Sequence, residues 1–322
     1  MAGQTNEAVF AEAGNRLVIR PIEMPSPRDG EALVRVDALS LNRGDVRRAW
    51  SRAEPSWRPG YDLAGTVLRA AVAGSGPREG ARVVGLAPQG SWARYVAVPA
   101  DSLATLPPAV SATTAATLPT AGLTAYHALK QGGLLLGRRV LVTGASGGVG
   151  DFALQMARRS GAGVVVAQLR QASHAAAALA AGATAVAIGD SLEEARSHGP
   201  FDLIVDGVNG AVLARALEML APGGICAAYG SASGERLDFD LRRFFRAGRT
   251  SLRGIALFEE LRREEAAGAG LARLVALAAS GDLVPRIAAE ASWRDIDRLA
   301  RSLMERGFTG KAVLHVDGEP LA

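Results

Sequence analysis

The chain has one cysteine, Cys226, in 322 residues. A single thiol excludes an internal disulfide and any zinc site built from several cysteines, and it points to a reducing compartment. Lysine is almost as scarce: only Lys130 and Lys311 are present, so arginine supplies nearly all of the 36 basic side chains. Against 32 acidic residues these leave a net charge of only +4. Scattered arginines with so small a surplus argue against a nucleic-acid partner. Long apolar runs are missing too. The opening MAGQTNEAVFAEAGNR has no basic segment followed by an apolar one, so no secretory signal is expected. The longest uncharged stretch, Ser102 to Ala128, is interrupted by Pro107, Pro108 and Pro119, which argues against a membrane helix. A cytoplasmic protein without membrane attachment is the expectation.

What is present is ordinary for a globular protein, with 48% hydrophobic and 21% charged residues. The length predicts two domains. The first 120 or so residues read as β-rich, with LVIRPIE, EALVRVDAL, LAGTVLRAAV, ARVVGLA and WARYVAV separated by Gly, Pro and Asp turns. From about Gly137 the pattern changes to buried strands (RRVLVTG, AGVVVAQ, ATAVAIG, FDLIVDG, GGICAAYG) alternating with alanine-rich helices at 149–160, 172–181 and 211–220. That alternation predicts a parallel sheet and an α/β protein. After SLRGI, helices are expected over 258–279 and 293–305, before a last strand KAVLHVDG.

One loop carries chemistry. VLVTGASGGVGDFALQMARR puts a glycine-rich turn between a buried strand and an amphipathic helix. Ala145, Gly147 and Gly150 hold the three small-residue positions of the dinucleotide fingerprint, which allow a tight turn, close approach of pyrophosphate and close helix packing. The pyrophosphate would lie on the helix N-terminus. Asp151 is a blemish, because its carboxylate could cap amides or repel phosphate. At the end of the second strand, VVVAQLRQASH has no acidic residue to take a ribose 2′-hydroxyl. Arg170 and His174 stand there instead and could meet a 2′-phosphate, which favours NADPH over NADH.

With these residues in view, the chain resembles the medium-chain dehydrogenase/reductase superfamily, and within it the zinc-independent quinone oxidoreductase and enoyl reductase group. SLNRGDV, PGYDLAGTV, EGARVVGL, AGLTAYHAL, VLVTGASGGVG, FDLIVDG and GKAVL follow that group's motifs in its order. The resemblance implies a GroES-like β-rich catalytic domain over 1–124, completed by 257–322, around a Rossmann NADPH-binding domain over 125–256, with the active site in the cleft between. It implies a homodimer, often formed by edge-to-edge pairing of the strand SLRGI. Cofactor contacts are expected from Thr124, Ala145, Gly147, Gly148, Val149, Gly150, Arg170 and His174.

Zinc-dependent members of the superfamily bind the catalytic metal through residues that this chain replaces with Asn42, Tyr61 (followed by Asp62) and Thr120. The four-cysteine structural lobe is missing as well, so no metal is expected. Without a Lewis acid, alcohol dehydrogenation is disfavoured. Hydride addition to a quinone or to the conjugated C=C of an enone suits ordinary hydrogen-bond donors better. The family geometry would make Asn42 and Tyr61 those donors, or leave Asn42 and Asp45 to brace the cleft loop. A tyrosine acid that enoyl reductases often carry some eleven residues after the asparagine is replaced near Ala53, between Trp50 and Trp57, so either Tyr61 or solvent would deliver the proton, or the enzyme handles quinones and needs no carbon acid. The stretch Arg47 to Pro59 is expected to line the cleft. His127 and Cys226 read as packing residues, and His198 and His315 have no partner motif. The alternatives are an enzyme reducing or otherwise transforming one elaborate pathway intermediate, and a non-enzymatic NADPH-binding protein.

Overall fold

The structure is a computed structural model that describes residues 5–51, 57–74 and 76–316. It divides into two compact units, Met1–Leu123 with Glu264–Ala322, and Thr124–Arg263.

The first unit is β-rich. Its early strands are β1 (Thr5–Glu12), β2 (Arg16–Glu23), β3 (Glu31–Leu41), β4 (Asp62–Arg69), β5 (Arg82–Leu86), β6 (Tyr95–Pro99) and β7 (Leu103–Thr105). The second unit contributes β8 (Arg139–Val142), β9 (Val164–Leu169), β10 (Ala185–Ile188), β11 (Phe201–Asp206), β12 (Leu220–Ala228) and β13 (Ser251–Gly254). The chain then returns to the first unit for β14 (Ile287–Ser292) and β15 (Lys311–His315). β1 and β2 form a separate antiparallel ribbon, and the larger sheet runs β14-β15-β3-β4-β5-β7 with β6 also on β3.

β3 is the spine of this unit. Its sequence EALVRVDALSL buries nearly every residue, because β15, β4 and β6 all pair with it antiparallel. The consequence for the site is geometric: an antiparallel neighbour begins where β3 ends. The register sets Leu41 opposite Ala312 and Leu39 opposite Leu63, so Ser40 and Asn42 meet Asp62 at the start of β4 and Lys311 at the start of β15. Beneath them lies an apolar core that includes Leu39, Leu41, Leu63, Trp92, Trp293 and Leu314.

The second unit is a Rossmann-type α/β layer structure. All six strands are parallel, in the order β10-β9-β8-β11-β12-β13. Strand order reverses between β8 and β11, which is where ligands bind in open sheets of this kind. Cys226 is fully buried on β12, where burial and the nearby Asp206 push its thiol well up. It is a small apolar residue there.

Several elements depart from the sequence reading. β1, β7 and β14 were not among the expected strands. The helix expected over 258–279 is two helices, Leu257–Arg263 and Ala267–Ala279, broken at the boundary between the units. Ala266 is extended, and a Cβ at Gly268 would come within 2.5 Å of the Asp101 carbonyl, so the second helix is locked onto the first unit. The expected helix 172–181 opens with a 3₁₀ turn at Ala172–His174, and the α-helix spans only Ala175–Ala180. His315, for which no partner was foreseen, faces Glu290 across β14 at 3.0 Å. Among the described residues no helix is long and apolar enough to cross a membrane.

Candidate functional site

In the first unit Asn42 and Thr120, two of the three positions expected to replace zinc ligands, are joined by one hydrogen-bond network centred on Asp62. Its Oδ1 accepts from the Thr120 amide at 2.9 Å and from the Thr120 hydroxyl. Its Oδ2 accepts from Ser40 Oγ and Asn42 Nδ2, both at 2.8 Å. Thr120 can aim its amide this way because it lies in a π-helical turn, Leu118–Gly122, where the widened ring frees backbone donors from the usual ladder. Asp62 itself is fully buried, and four donors fill its oxygens.

Asn42 is equally committed. One hydrogen of its amide goes to Asp62 and the other to Asp45 Oδ2 at 2.9 Å, while its Oδ1 accepts from the Lys311 ammonium at 2.5 Å. The Asn42 carbonyl also receives the Asp45 and Val46 amides at 3.1 Å, which makes Asn42 the residue that starts the helix Arg43–Ser51. In this arrangement Asn42 has no amide hydrogen left for a substrate. Asp45, three residues on, faces back toward it inside the same turn.

The charges explain the ionisation. Burial and the Asp62 carboxylate push the Asp45 carboxyl up to about 8, although Asn42, Lys311 and Arg48 pull the other way. Lys311 is held down by burial and supported by Asp62 and Asp45. Its ammonium lies 3.6 Å from Asp62 Oδ2 and donates to the Leu41 carbonyl at 3.1 Å. Tyr61 is buried just ahead of β4. Trp50 and Trp57 pack on the core, with the Arg48 guanidinium 5.9 Å from the Trp57 ring. Ala53 lies outside the described residues, which include only part of the stretch Arg47 to Pro59.

In the second unit the glycine loop follows β8 and opens the helix Gly148–Arg159. Gly147 is the N-cap of that helix and, lacking a side chain, makes no capping bond of its own to the first-turn amides. A Cβ on Gly150 would lie 2.6 Å from Ala145 Cα and 2.7 Å from the Gly144 carbonyl, so only glycine lets helix and turn pack this closely. Ala145 is buried behind the turn. Asp151 is directed along the helix, where Gln155 donates to its carboxylate at 3.0 Å. Gln168 on β9 anchors the turn: its Oε1 accepts from the Gly144 amide at 2.8 Å and its Nε2 donates to the Gly189 carbonyl at 3.1 Å. Arg170 is exposed immediately after β9, and among the described residues its guanidinium has no hydrogen bond or ion pair. His174 is half-buried four residues further on, and Thr124 is buried in the helix Leu123–Lys130. At the switch point, Asp206 ends β11 and accepts from the Thr143 hydroxyl and the Asn209 amide, while burial pushes its carboxyl up.

Of the residues singled out in the sequence, Asn42, Asp45 and Thr120 meet in the network around Asp62, while Tyr61 adjoins it along the chain. Sequence reasoning missed Lys311, Ser40 and Gln168 as members of these networks, and it treated Asp62 only as the neighbour of Tyr61. The scarcity of lysine was a usable signal for Lys311.

A β-rich unit interrupted by a six-stranded dinucleotide-type unit defines a two-domain nicotinamide-enzyme architecture. Residues 28–108 match the alcohol dehydrogenase GroES-like domain family, and 148–275 match the zinc-binding dehydrogenase family. A chloroplastic quinone-oxidoreductase homolog of Spinacia oleracea is 35% identical over 153 residues, 42% of this chain and 46% of that one. The 2-methylene-furan-3-one reductase of Solanum lycopersicum is 32% identical over 151 residues, 42% of this chain and 39% of its own. The alignments thus span less than half the length of these curated relatives. A mycobacterial protein solved in complex with NADPH superposes with a TM-score of 0.85 at 26% identity, covering 97% of this chain and all of that one. The chain belongs to the medium-chain dehydrogenase/reductase superfamily, in its quinone oxidoreductase and enoyl reductase group.

Proposed function

We propose that this chain is an NADPH-dependent reductase that works without a metal and delivers hydride to a quinone or to the conjugated C=C of an enone. The observation that carries this reading is the closed network around Asp62. Where zinc-dependent relatives hold a cation, every lone pair of Asp62 and both ends of the Asn42 carboxamide are already used, and an ammonium stands among them. A divalent ion would have to break these bonds, so the residues do not fit one. Relatives named for quinone and methylene-furanone reduction support the acceptor class.

The second unit fits a dinucleotide. The helix N-terminus at Gly148 and Val149, reached over the bare Gly147, suits a pyrophosphate, with Ala145 and Gly150 keeping turn and helix close. Thr124, Arg170 and His174 would complete the binding. When bound, NADPH supplies the hydride. Because Asn42 is fully engaged, Asn42 and Asp45 serve by bracing the helix Arg43–Ser51. Tyr61 is then the residue of this set that steadies the developing enolate or phenolate, and Tyr61 or solvent provides the proton. β13 is the open edge of its sheet, with Leu252 on it and Phe245 nearby in sequence both exposed, which supports a homodimer formed along that edge.

Two measurements test the reading. Loss of nicotinamide absorbance with a panel of quinones and enones should persist in the presence of a chelator, with zinc well below one equivalent. Stoichiometric zinc on which activity depends, or no turnover of any acceptor, overturns it. For the cofactor, a charged hydrogen bond contributes about 1.5–3 kcal/mol, so Arg170→Ala should weaken NADPH at least tenfold and leave NADH nearly unchanged. Equal losses for both would mean that Arg170 only supports its loop.

A further inference from the structure

Two carboxyl groups and one ammonium are gathered around a single carboxamide, with Asp45, Asp62 and Lys311 at most 3% exposed. One nitrogen, Asn42 Nδ2, bridges Asp45 and Asp62, which holds the two acids close together. With both ionised and Lys311 protonated, the cluster carries an unscreened charge of −1. One proton makes it neutral. Asp62 takes four hydrogen bonds as an acceptor, whereas the carboxyl of Asp45 receives one from Asn42, so the proton belongs on Asp45. The carboxamide itself has two orientations of similar shape. Only the one with its oxygen toward Lys311 lets the nitrogen serve both acids.

We propose that Lys311 is a positioning residue for the reaction inferred above: its ammonium fixes the Asn42 carboxamide in the one orientation that serves both carboxyl groups. The inference rests on the reductase reading only for its activity readout. Lys311 reaches Asn42 from the opposite end of the chain and clamps the residue that starts the helix Arg43–Ser51. Other charges near this helix are engaged elsewhere. From β1, Glu7 pairs with Arg94 and Glu12 with Arg20. From the helix Ile296–Met304, Asp297 pairs with Arg301 and Arg298 with Asp295. Arg43 donates to the Leu303 carbonyl. Besides Lys311, Asp62 and its own Asn42 bond, only Arg48 acts on Asp45.

The sign of the pH dependence follows. Asp45 is raised to about 8 in the folded chain, while the unfolded chain releases that proton near 3.8. Between these values the unfolded state binds fewer protons, so this group makes stability fall as pH rises and stops doing so above about 8. Lys311 pulls Asp45 down, so removing its charge must push the end of the fall upward.

Melting temperature should therefore be followed from pH 5 to 10 for the full chain and for Lys311→Met, Lys311→Arg and Asp45→Asn, alongside kcat and KM with a quinone acceptor. In Lys311→Met the fall should extend upward by about one pH unit. The alkaline change in kcat should move with it, and kcat should drop about tenfold with the KM for NADPH unchanged. Lys311→Arg should restore the wild-type midpoint, and Asp45→Asn should lose the fall. Superimposable profiles for wild type and Lys311→Met, or an unchanged fall in Asp45→Asn, overturn the inference. Should Lys311→Met not fold, carbon and nitrogen NMR titration of the wild-type chain decides. The Lys311 ammonium signal should shift where Asp45 titrates and lose that inflection in Asp45→Asn, and no such inflection in wild type overturns the inference. The stability profiles stand apart from the reductase reading. Turnover with unshifted profiles refutes only the role of Lys311, whereas absence of turnover with shifted profiles refutes only the reductase.

Discussion

Replacing Asp62 with alanine should destabilise the first unit by about 3–5 kcal/mol, the loss expected when one partner of a buried ion pair is removed. The mutation strips four donors of their acceptor at once: the Ser40 and Thr120 hydroxyls, the Thr120 amide and one hydrogen of Asn42. It also leaves the Lys311 ammonium buried with Asp45 as its one nearby acid. At about 2–4 °C per kcal/mol for a unit of this size, the melting temperature should fall by roughly 10 °C. Ser40→Ala removes one neutral donor from the same carboxylate and should lose only about 1 kcal/mol. Thermal or urea unfolding of the pair reads the difference. Equal, small losses in both would show that solvent replaces the network and that Asp62 is not its centre.

That hub explains what could and could not be read from the sequence. The glycine loop was legible because strand, turn and helix are contiguous, and the residues that make it work lie within a dozen positions of one another. Asn42 and Asp45 were legible only through the likeness of SLNRGDV to a family motif, since no helix was expected over Arg43–Ser51. The meeting of Lys311 with Asn42 was not legible, because the two lie 269 residues apart and come together through a register that only the folded β3 and β15 define. Gln168 escaped notice because a glutamine within a buried strand carries no motif, although its two ends tie the Gly144 amide to the Gly189 carbonyl. Periodicity also misplaced one boundary. The residues from 258 to 279 are helix-forming throughout, yet the chain breaks at 264–266, because Leu257–Arg263 belongs to one unit and Ala267–Ala279 to the other. Local preference had no means of registering that partition.

The consumed carboxamide of Asn42 changes what a polar residue at a former ligand position means. Read along the chain, an asparagine there is a free donor available to an acceptor carbonyl. In the fold both of its hydrogens and its oxygen are bound, so its contribution is rigidity at the start of the helix Arg43–Ser51. Buried polar clusters of this kind hold one arrangement when every member is satisfied and lose it when one is removed. On the proposed reading, function at this site depends on residues that need never touch a substrate.

The two glycines among the three fingerprint positions, Gly147 and Gly150, should separate folding from binding. A methyl at Gly150 would lie 2.6 Å from Ala145 Cα and 2.7 Å from the Gly144 carbonyl. Both are backbone atoms and cannot swing away. Gly150→Ala should thus lose about 1–3 kcal/mol of stability through overpacking, and cofactor binding with it. Gly147 is different. Its φ of −78° suits any residue, and a methyl there would meet only the Gly144 carbonyl at 3.4 Å, an ordinary contact. The protein fold gives no reason for glycine at this position, and the remaining reason is the approach of a phosphate to the helix N-terminus. Gly147→Ala should melt within about 1–2 °C of wild type, since a surface change that creates no clash stays within about 0.5 kcal/mol. Its NADPH affinity should nevertheless fall by about tenfold or more, the equivalent of about 1.4 kcal/mol. Calorimetric titration beside a thermal melt measures both quantities on one preparation. If Gly147→Ala binds NADPH as tightly as wild type, the pyrophosphate does not pass over this turn, and the cofactor reading of the loop fails even though the fold is unchanged.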